Sequence, residues 1–234
     1  ILKTVEVDLE AGRFYRLRLE FASLGLDPQV QLLWGPPDTH AAAQALEIAA
    51  RADAIIAVMG LSPRFEGEEM PVHIEGFTGG DRTDIALPAA QQRLLEQLHA
   101  LGKPVVLVLL NGSAVAVRWA ASEIPAIVEA WYPGEAGGEA LADVLFGDYC
   151  PGGRLPVTWY ASVDDLPPFD DYRMEGRTYR FFRGQPLFPF GHGLSYTTFE
   201  LGNLWPERSQ AQIGDEVSLS LDVTNTGTCA GDEV

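Results

Sequence analysis

Between residues 61 and 84 the sequence gathers Glu66, Glu68, Glu69, Glu75, Asp81 and Asp84 against only two cations, Arg64 and Arg82. A carboxyl group serves as a general acid when burial or neighbouring like charge raises its affinity for the proton. Three glutamates within four residues, Glu66 to Glu69, supply the second condition. A solvated acidic loop is the competing reading, because charge runs commonly face water. The segment is also long for a strand-to-helix connection, which typically takes about two to six residues, and loops this long are usually functional or disordered.

Other chemically capable residues are more isolated. Pro133-Gly134-Glu135-Ala136-Gly137-Gly138 sits where a phosphate-cradling turn would, but it lacks the G-x-G-x-x-G spacing and a nearby Lys, and Glu135 would repel a phosphate. It reads as a tight turn before a helix. Asn111-Gly112-Ser113 likewise reads as a turn, with no His spaced to activate a serine nucleophile. His73 and His192 stand alone, His73 inside the acidic loop. Trp131-Tyr132 suits either an aromatic platform for a sugar or core packing. Cys150 and Cys229 are the only cysteines, and they support neither a disulfide framework nor a zinc site.

The chain that must position these groups has 234 residues, enough for one ordinary domain plus pieces or for two small domains. Apolar residues make up 47%, which supports a packed core. Lys and Arg number 16 against 33 Asp and Glu, a formal charge of −17. That balance argues against nucleic acid and anionic membranes as partners, since both need a cationic surface. No run of 18 apolar residues is present, so no transmembrane helix is expected. The chain begins at Ile1 with strand-like sequence and stops at Val234 just after an alternating segment, so it is expected to be a piece of a longer protein.

Three textures follow one another. In residues 1–36, Val5, Val7 and Leu9 alternate, Gly12 turns the chain, and Tyr15, Leu17, Leu19 and Phe21 alternate again, with Arg16, Arg18 and Glu20 on the other face. That is a hairpin pattern, followed by a strand from Val30 to Trp34. From residue 38 strands and helices alternate. Ala41 to Arg51 is a helix capped by Asp38 or Thr39. Asp53 to Met59 is a continuous apolar run, expected to be a strand covered on both faces. Pro88 to Leu101 is a helix with an apolar stripe of Leu94, Leu95, Leu98 and Leu101. Pro104 to Leu110 and Ala126 to Trp131 are further strands, Gly138 to Phe146 a helix, and Arg154 to Tyr160 another strand. The fold class is therefore α/β: a mostly parallel sheet covered by helices, flanked by incomplete all-β segments. Beyond residue 199, Val217, Leu219, Leu221 and Val223 alternate before a turn at Asn225-Thr226-Gly227, and Pro206 to Gly214 is the preceding loop.

Six ordered blocks then resemble one family. They are Gly80-Asp81-Arg82 leading into Ile85 to Leu95, Gly102 to Gly112, Trp131 to Gly138, Asp143 to Tyr149, Pro151 to Pro156 and Phe188 to Thr197. In this order they look like the C-terminal α/β sandwich of glycoside hydrolase family 3, the β-glucosidase and β-xylosidase group, over residues 37–198. Residues 1–36 are similar to the end of an inserted protective-antigen-like β domain, and residues 199–234 to the start of a fibronectin type III-like β-sandwich. A sheet lacking the strands that would precede such an insertion exposes an edge, so the piece alone is expected to fold poorly.

The resemblance implies a retaining exo-β-glycosidase acting on terminal β-linked glucose or xylose of oligosaccharides or other β-glycosides. Such enzymes use two carboxyl groups about 5–5.5 Å apart and need no metal or organic cofactor. The Asp nucleophile would lie on an N-terminal barrel domain outside this chain, which is then a partner of the site, and the piece alone would be inactive. The general acid/base maps onto Glu68, with Glu66 and Glu69 as alternates and Glu75 a weaker one. Were the loop extended, Glu66 and Glu68 would share a side and Glu69 would point away. Asp81 and Arg82 are assigned to bracing the loop. Periplasmic or extracellular placement is the family-level expectation. A non-catalytic carbohydrate-binding or scaffolding protein on the same fold is the alternative.

Overall fold

The computed structural model describes residues 7–20 and 41–234. The expected strand from Val30 to Trp34 and the caps at Asp38 and Thr39 lie outside them. Helix α1 (Ala41–Ala50) leads into β1 (Ile55–Gly60), and α2 (Ala89–His99) into β5 (Val105–Leu110). Between them, the long loop carries three two-residue strands, β2 (His73–Ile74), β3 (Phe77–Thr78) and β4 (Asp81–Arg82). Then follow α3 (Arg118–Glu123), β6 (Ala126–Glu129), α4 (Gly137–Phe146), α5 (Thr178–Phe181), β7 (Phe199–Pro206) and β8 (Leu219–Asn225). Among the described residues three sheets result: parallel β1-β5-β6, antiparallel β2-β3-β4, and the antiparallel pair β7-β8.

The core grows from strand alternation. Ile55, Ala57 and Met59 of β1 stand opposite Val105, Leu107 and Leu109 of β5 in register, and all six are buried. Leu95 and Leu98, one turn apart on α2, close over that face, and Leu94 and Leu101 pack at its margin. Pro88 precedes the first turn of α2, where a missing N–H costs nothing, and Gly102 (φ 70°) stops the chain beyond it. Gly147 (φ 87°) ends α4 in the same left-handed fashion.

Several expectations need correction. β1 is covered on one face only: Ile56 and Val58 are 49% and 56% exposed, because no described helix lies over their side. No strand forms over 154–160. Pro156 cannot donate to a ladder, and the segment contributes a single antiparallel bridge, Trp159 to Phe188, with the Trp159 indole buried. β6 stops at Glu129 because Trp131 takes a left-handed backbone (φ 53°). Residues 7–20 show the turn at Gly12 (φ 80°) but no paired strands, and Leu17 is 65% exposed. The ends of the expected hairpin, Val5 and Phe21, lie outside the described residues.

β7 and β8 pair through six residues of β8 with an irregularity between Gly202 and Trp205, and both are largely solvent-exposed. Among the described residues no helix is long and apolar enough to cross a membrane.

Leu107 is fully buried on the central strand, so Leu107→Ala leaves a cavity that its neighbours cannot close. The substitution should destabilise the fold by about 2–5 kcal/mol, read as a lower urea midpoint with an unchanged slope.

Candidate functional site

Parallel pairing brings the carboxyl ends of β1, β5 and β6 to one edge, with Gly60 beside Leu110 and Leu109 beside Glu129. The 61–84 loop, the Asn111-Gly112-Ser113 bend and Trp131-Tyr132 all leave from that edge, where open α/β sheets bind ligands. Gly60 starts the loop at φ 137°, and a Cβ there would lie 2.0 Å from the Leu110 carbonyl oxygen. Only glycine fits. From α2, Gln91 grips the same residue, accepting from its N–H at 2.7 Å and donating to its carbonyl at 2.8 Å.

The loop is folded on itself. The N–H groups of Phe65 and Glu66 both reach the Ser62 carbonyl, at 2.9 and 3.1 Å, and Glu69 is left-handed (φ 50°). The extended conformation that would align Glu66 with Glu68 is therefore absent. Gly67 N–H donates to the Gly80 carbonyl and Met70 N–H to that of Gly79, closing the loop against the small β2-β3-β4 sheet. Gly80 (φ 90°) lies so near Gly67 that a Cβ would fall 2.0 Å from the Gly67 oxygen.

Glu66 then ties the loop to the neighbouring strand end. The Ser113 hydroxyl donates to Glu66 Oε1 at 2.5 Å, and the Tyr132 hydroxyl donates to Oε2 at 3.3 Å. Arg82 reaches the same knot from β4. One of its terminal nitrogens donates to Ser113 Oγ at 2.9 Å and to the Ala114 carbonyl at 2.8 Å, while Nε donates to the Asp84 carbonyl. Burial lowers the Arg82 pKa from its ordinary value, against the favourable charges of Glu66 and Asp84. Desolvation, and then the Glu66 charge, push the Tyr132 phenol up.

Behind Ser113, Asn111 is fully buried. Its amide nitrogen donates to the Ser113 carbonyl at 2.9 Å and to both carboxyl oxygens of Glu129, at 3.2 and 3.3 Å. Glu129 also accepts the Trp131 N–H at 2.9 Å. Burial outweighs these donors and raises the Glu129 pKa to about 7. A continuous polar chain thus runs from the end of β6 through Asn111 and Ser113 to Glu66 and Arg82.

Of the residues singled out from sequence, Glu66 enters this chain, whereas Glu68, Glu69 and Glu75 are exposed. Trp131 and Tyr132 face different surroundings. Trp131 packs edge-on against Trp159 in the core, at 6.4 Å between ring centroids, and Tyr132 faces the loop. His73 is exposed on β2, and His192 stacks on Phe188 at 5.0 Å. Asn111, Ser113 and Glu129 were not expected at the site. A hydrophilic Asn at the end of an otherwise apolar strand was the available signal. Among the described residues no group of three or more His, Cys, Asp or Glu side chains is placed to hold a metal ion.

These features define an α/β domain with an acidic, aromatic-rimmed loop braced on its carboxyl strand edge. Residues 7–196 match the family described as "Glycosyl hydrolase family 3 C-terminal domain", and the chain belongs to that family. It is 55% identical over 174 residues to a xylan 1,4-beta-xylosidase of Xylanibacter ruminicola, covering 74% of this chain and 20% of that protein. It is 38% identical over 200 residues to a periplasmic beta-glucosidase of Salmonella typhimurium, covering 80% and 25%. Among solved structures, a β-glucosidase of Erythrobacter marinus superposes with a TM-score of 0.67 at 40% identity, over 80% of this chain and 24% of the other. The chain thus spans about a quarter or less of the length of each of these relatives.

The raised pKa of Glu129 has a stability consequence. The folded chain keeps a proton that the unfolded chain, at the ordinary value of 4.5, gives up. The associated stabilisation is complete below about pH 4.5 and is lost as pH rises through about 7. The denaturant midpoint should accordingly fall between about pH 5 and about pH 8. Glu129→Gln should flatten that slope, and an equally steep profile in the variant would exclude Glu129 as its source.

Proposed function

We propose that this chain supplies the general acid/base half of a retaining exo-β-glycosidase acting on terminal β-linked glucose or xylose, with Glu68 in that role. The observation that carries the reading is the division of labour within the acidic loop. Both oxygens of Glu66 are engaged, by Ser113 and Tyr132, so Glu66 anchors the loop. Glu68, two residues on in the same loop, is exposed, as a group that must meet a glycosidic oxygen would be. Glu69 is exposed too, but the Glu-x-Glu pattern favours Glu68 over it.

In the first step Glu68 would protonate the leaving oxygen while a carboxylate nucleophile attacks the anomeric carbon. In the second it would take a proton from water as the glycosyl-enzyme is hydrolysed. The nucleophile is assigned to an Asp on an N-terminal barrel of the same protein, so this chain alone should be inactive. Tyr132, exposed beside the anchored loop, would form part of the wall facing the leaving group. The kinship with both xylosidases and glucosidases supports the substrate class and leaves both sugars within it. Residues 1–36 are read as the end of an inserted protective-antigen-like domain and 199–234 as the start of a fibronectin type III-like domain. The exposed antiparallel β7-β8 pair supports the second assignment.

In the full-length protein, Glu68→Ala should reduce turnover of alkyl glycosides by about 10²–10⁴-fold. Dinitrophenyl glycosides, whose leaving group needs no proton, should form the glycosyl-enzyme readily, and azide should restore their turnover with release of a glycosyl azide. Parental rates on alkyl glycosides would overturn the assignment. So would azide rescue appearing in Glu66→Ala or Glu69→Ala instead.

A further inference from the structure

Away from the acidic loop, the two cysteines meet. Cys150 follows α4 in the connection to Pro151-Gly152-Gly153, and Cys229 lies in the bend after β8, 79 residues further on. Their sulfur atoms are 3.9 Å apart, with the Cys229 thiol donating to Cys150 Sγ, which also contacts the Ser195 hydroxyl at 3.1 Å. Neither is part of a disulfide.

The approach is held by a clasp around it. The Tyr149 hydroxyl donates to Asp232 Oδ2 at 2.9 Å. Arg154 and Glu233 form an ion pair at 2.6 Å, with side chains only 14% and 22% exposed. Two glycines let the backbones close. A Cβ on Gly231 would lie 3.1 Å from Cys150 Sγ, and one on Gly152 would lie 2.7 Å from the Asp232 carbonyl oxygen. Residues 229–233 are therefore docked along 149–154 by contacts on both sides of the sulfur pair.

We propose that Cys150 and Cys229 are a disulfide-forming pair that locks the segment after β8 onto the α/β body. Closing the bond takes the sulfurs from 3.9 Å to about 2.05 Å. Cys229 can supply that movement, being exposed and in a bend outside any strand. The oxidant is a disulfide such as glutathione disulfide or an oxidised thiol–disulfide oxidoreductase. The Cys150 thiolate attacks one of its sulfurs and releases the first thiol. The Cys229 thiol then loses its proton and attacks Cys150 Sγ, releasing the second. Two protein thiols and one oxidant disulfide thus become one protein disulfide and two small thiols. The contact is polarised for this order: the Ser195 hydrogen bond lowers the Cys150 pKa, while desolvation and donation to Cys150 raise that of Cys229.

The test is made on the intact protein, reduced and then equilibrated with glutathione disulfide. The expected result is loss of two hydrogens by intact mass and a peptide in which residue 150 is linked to residue 229. Because the bond closes a long loop, Tm should rise by several degrees and return on addition of dithiothreitol. Cys150→Ser and Cys229→Ser should each carry a single glutathione adduct and show no rise in Tm. Two alkylatable thiols in the oxidised native protein, separate glutathione adducts on both cysteines, or linkage only between chains would each overturn the proposal.

Discussion

The ladder between Ile55–Gly60 and Val105–Leu110 fixes the position of everything that follows it in either strand. Among the described residues, β5 is the strand of the parallel sheet with a neighbour on each side, and its inward residues are sealed from water. Because all three strands point the same way, three separate exits from the sheet fall at one edge. A slip of one residue would exchange Leu107 and Leu109 with Val108 between two packed faces, all three fully buried, so the fit of these side chains holds the register. The same register places Asn111 next to Glu129 and Gly60 next to Leu110. The polar chain at the edge is a consequence of apolar packing a few ångströms away.

On that edge the acidic loop is ordered by a small number of directed bonds. Glu66 and Arg82 are opposite charges that share Ser113 as a common partner, and each of the two bonds is charge-assisted. Asn111 and Glu129 hold Ser113 from behind. In a chain with so large an excess of acid, Arg82 offsets repulsion among the loop carboxylates where it would otherwise be greatest. Glycines at 60 and 80 permit backbone approaches that any side chain would block.

Much of this architecture was legible in the residues, and the exceptions have physical causes. Helices α2 and α4 and strands β1 and β5 follow from apolar periodicity bounded by Pro88, Gly102 and Gly147, so their limits agree to within two residues. The ordered blocks from Gly80 to Thr197 pointed to the family. Periodicity could not reveal that one face of β1 is bare, since Ile56 and Val58 are as apolar as their buried neighbours. Nor could it anticipate that 154–160 stays irregular, because the apolar residues there pack through Trp159 without a ladder. The chain of Asn111, Ser113 and Glu129 joins positions up to 18 residues apart through side chains, and Cys150 meets Cys229 across 79. Contacts of that kind depend on tertiary folding and leave no local pattern.

The uncovered side of β1 bears on how copies of the chain behave in solution. Ile56 and Val58 lie two residues apart on the same face of β1, exposed apolar groups that another apolar layer can settle on and cover. What opposes such settling is long-range repulsion between molecules that all carry a large negative charge. Salt shortens the reach of that repulsion, and acid removes it as carboxylates take up protons. Colloidal behaviour is thereby coupled to ionic conditions through two side chains with no charge of their own. Moderate alkalinity and low ionic strength keep the bare face apart from its copies.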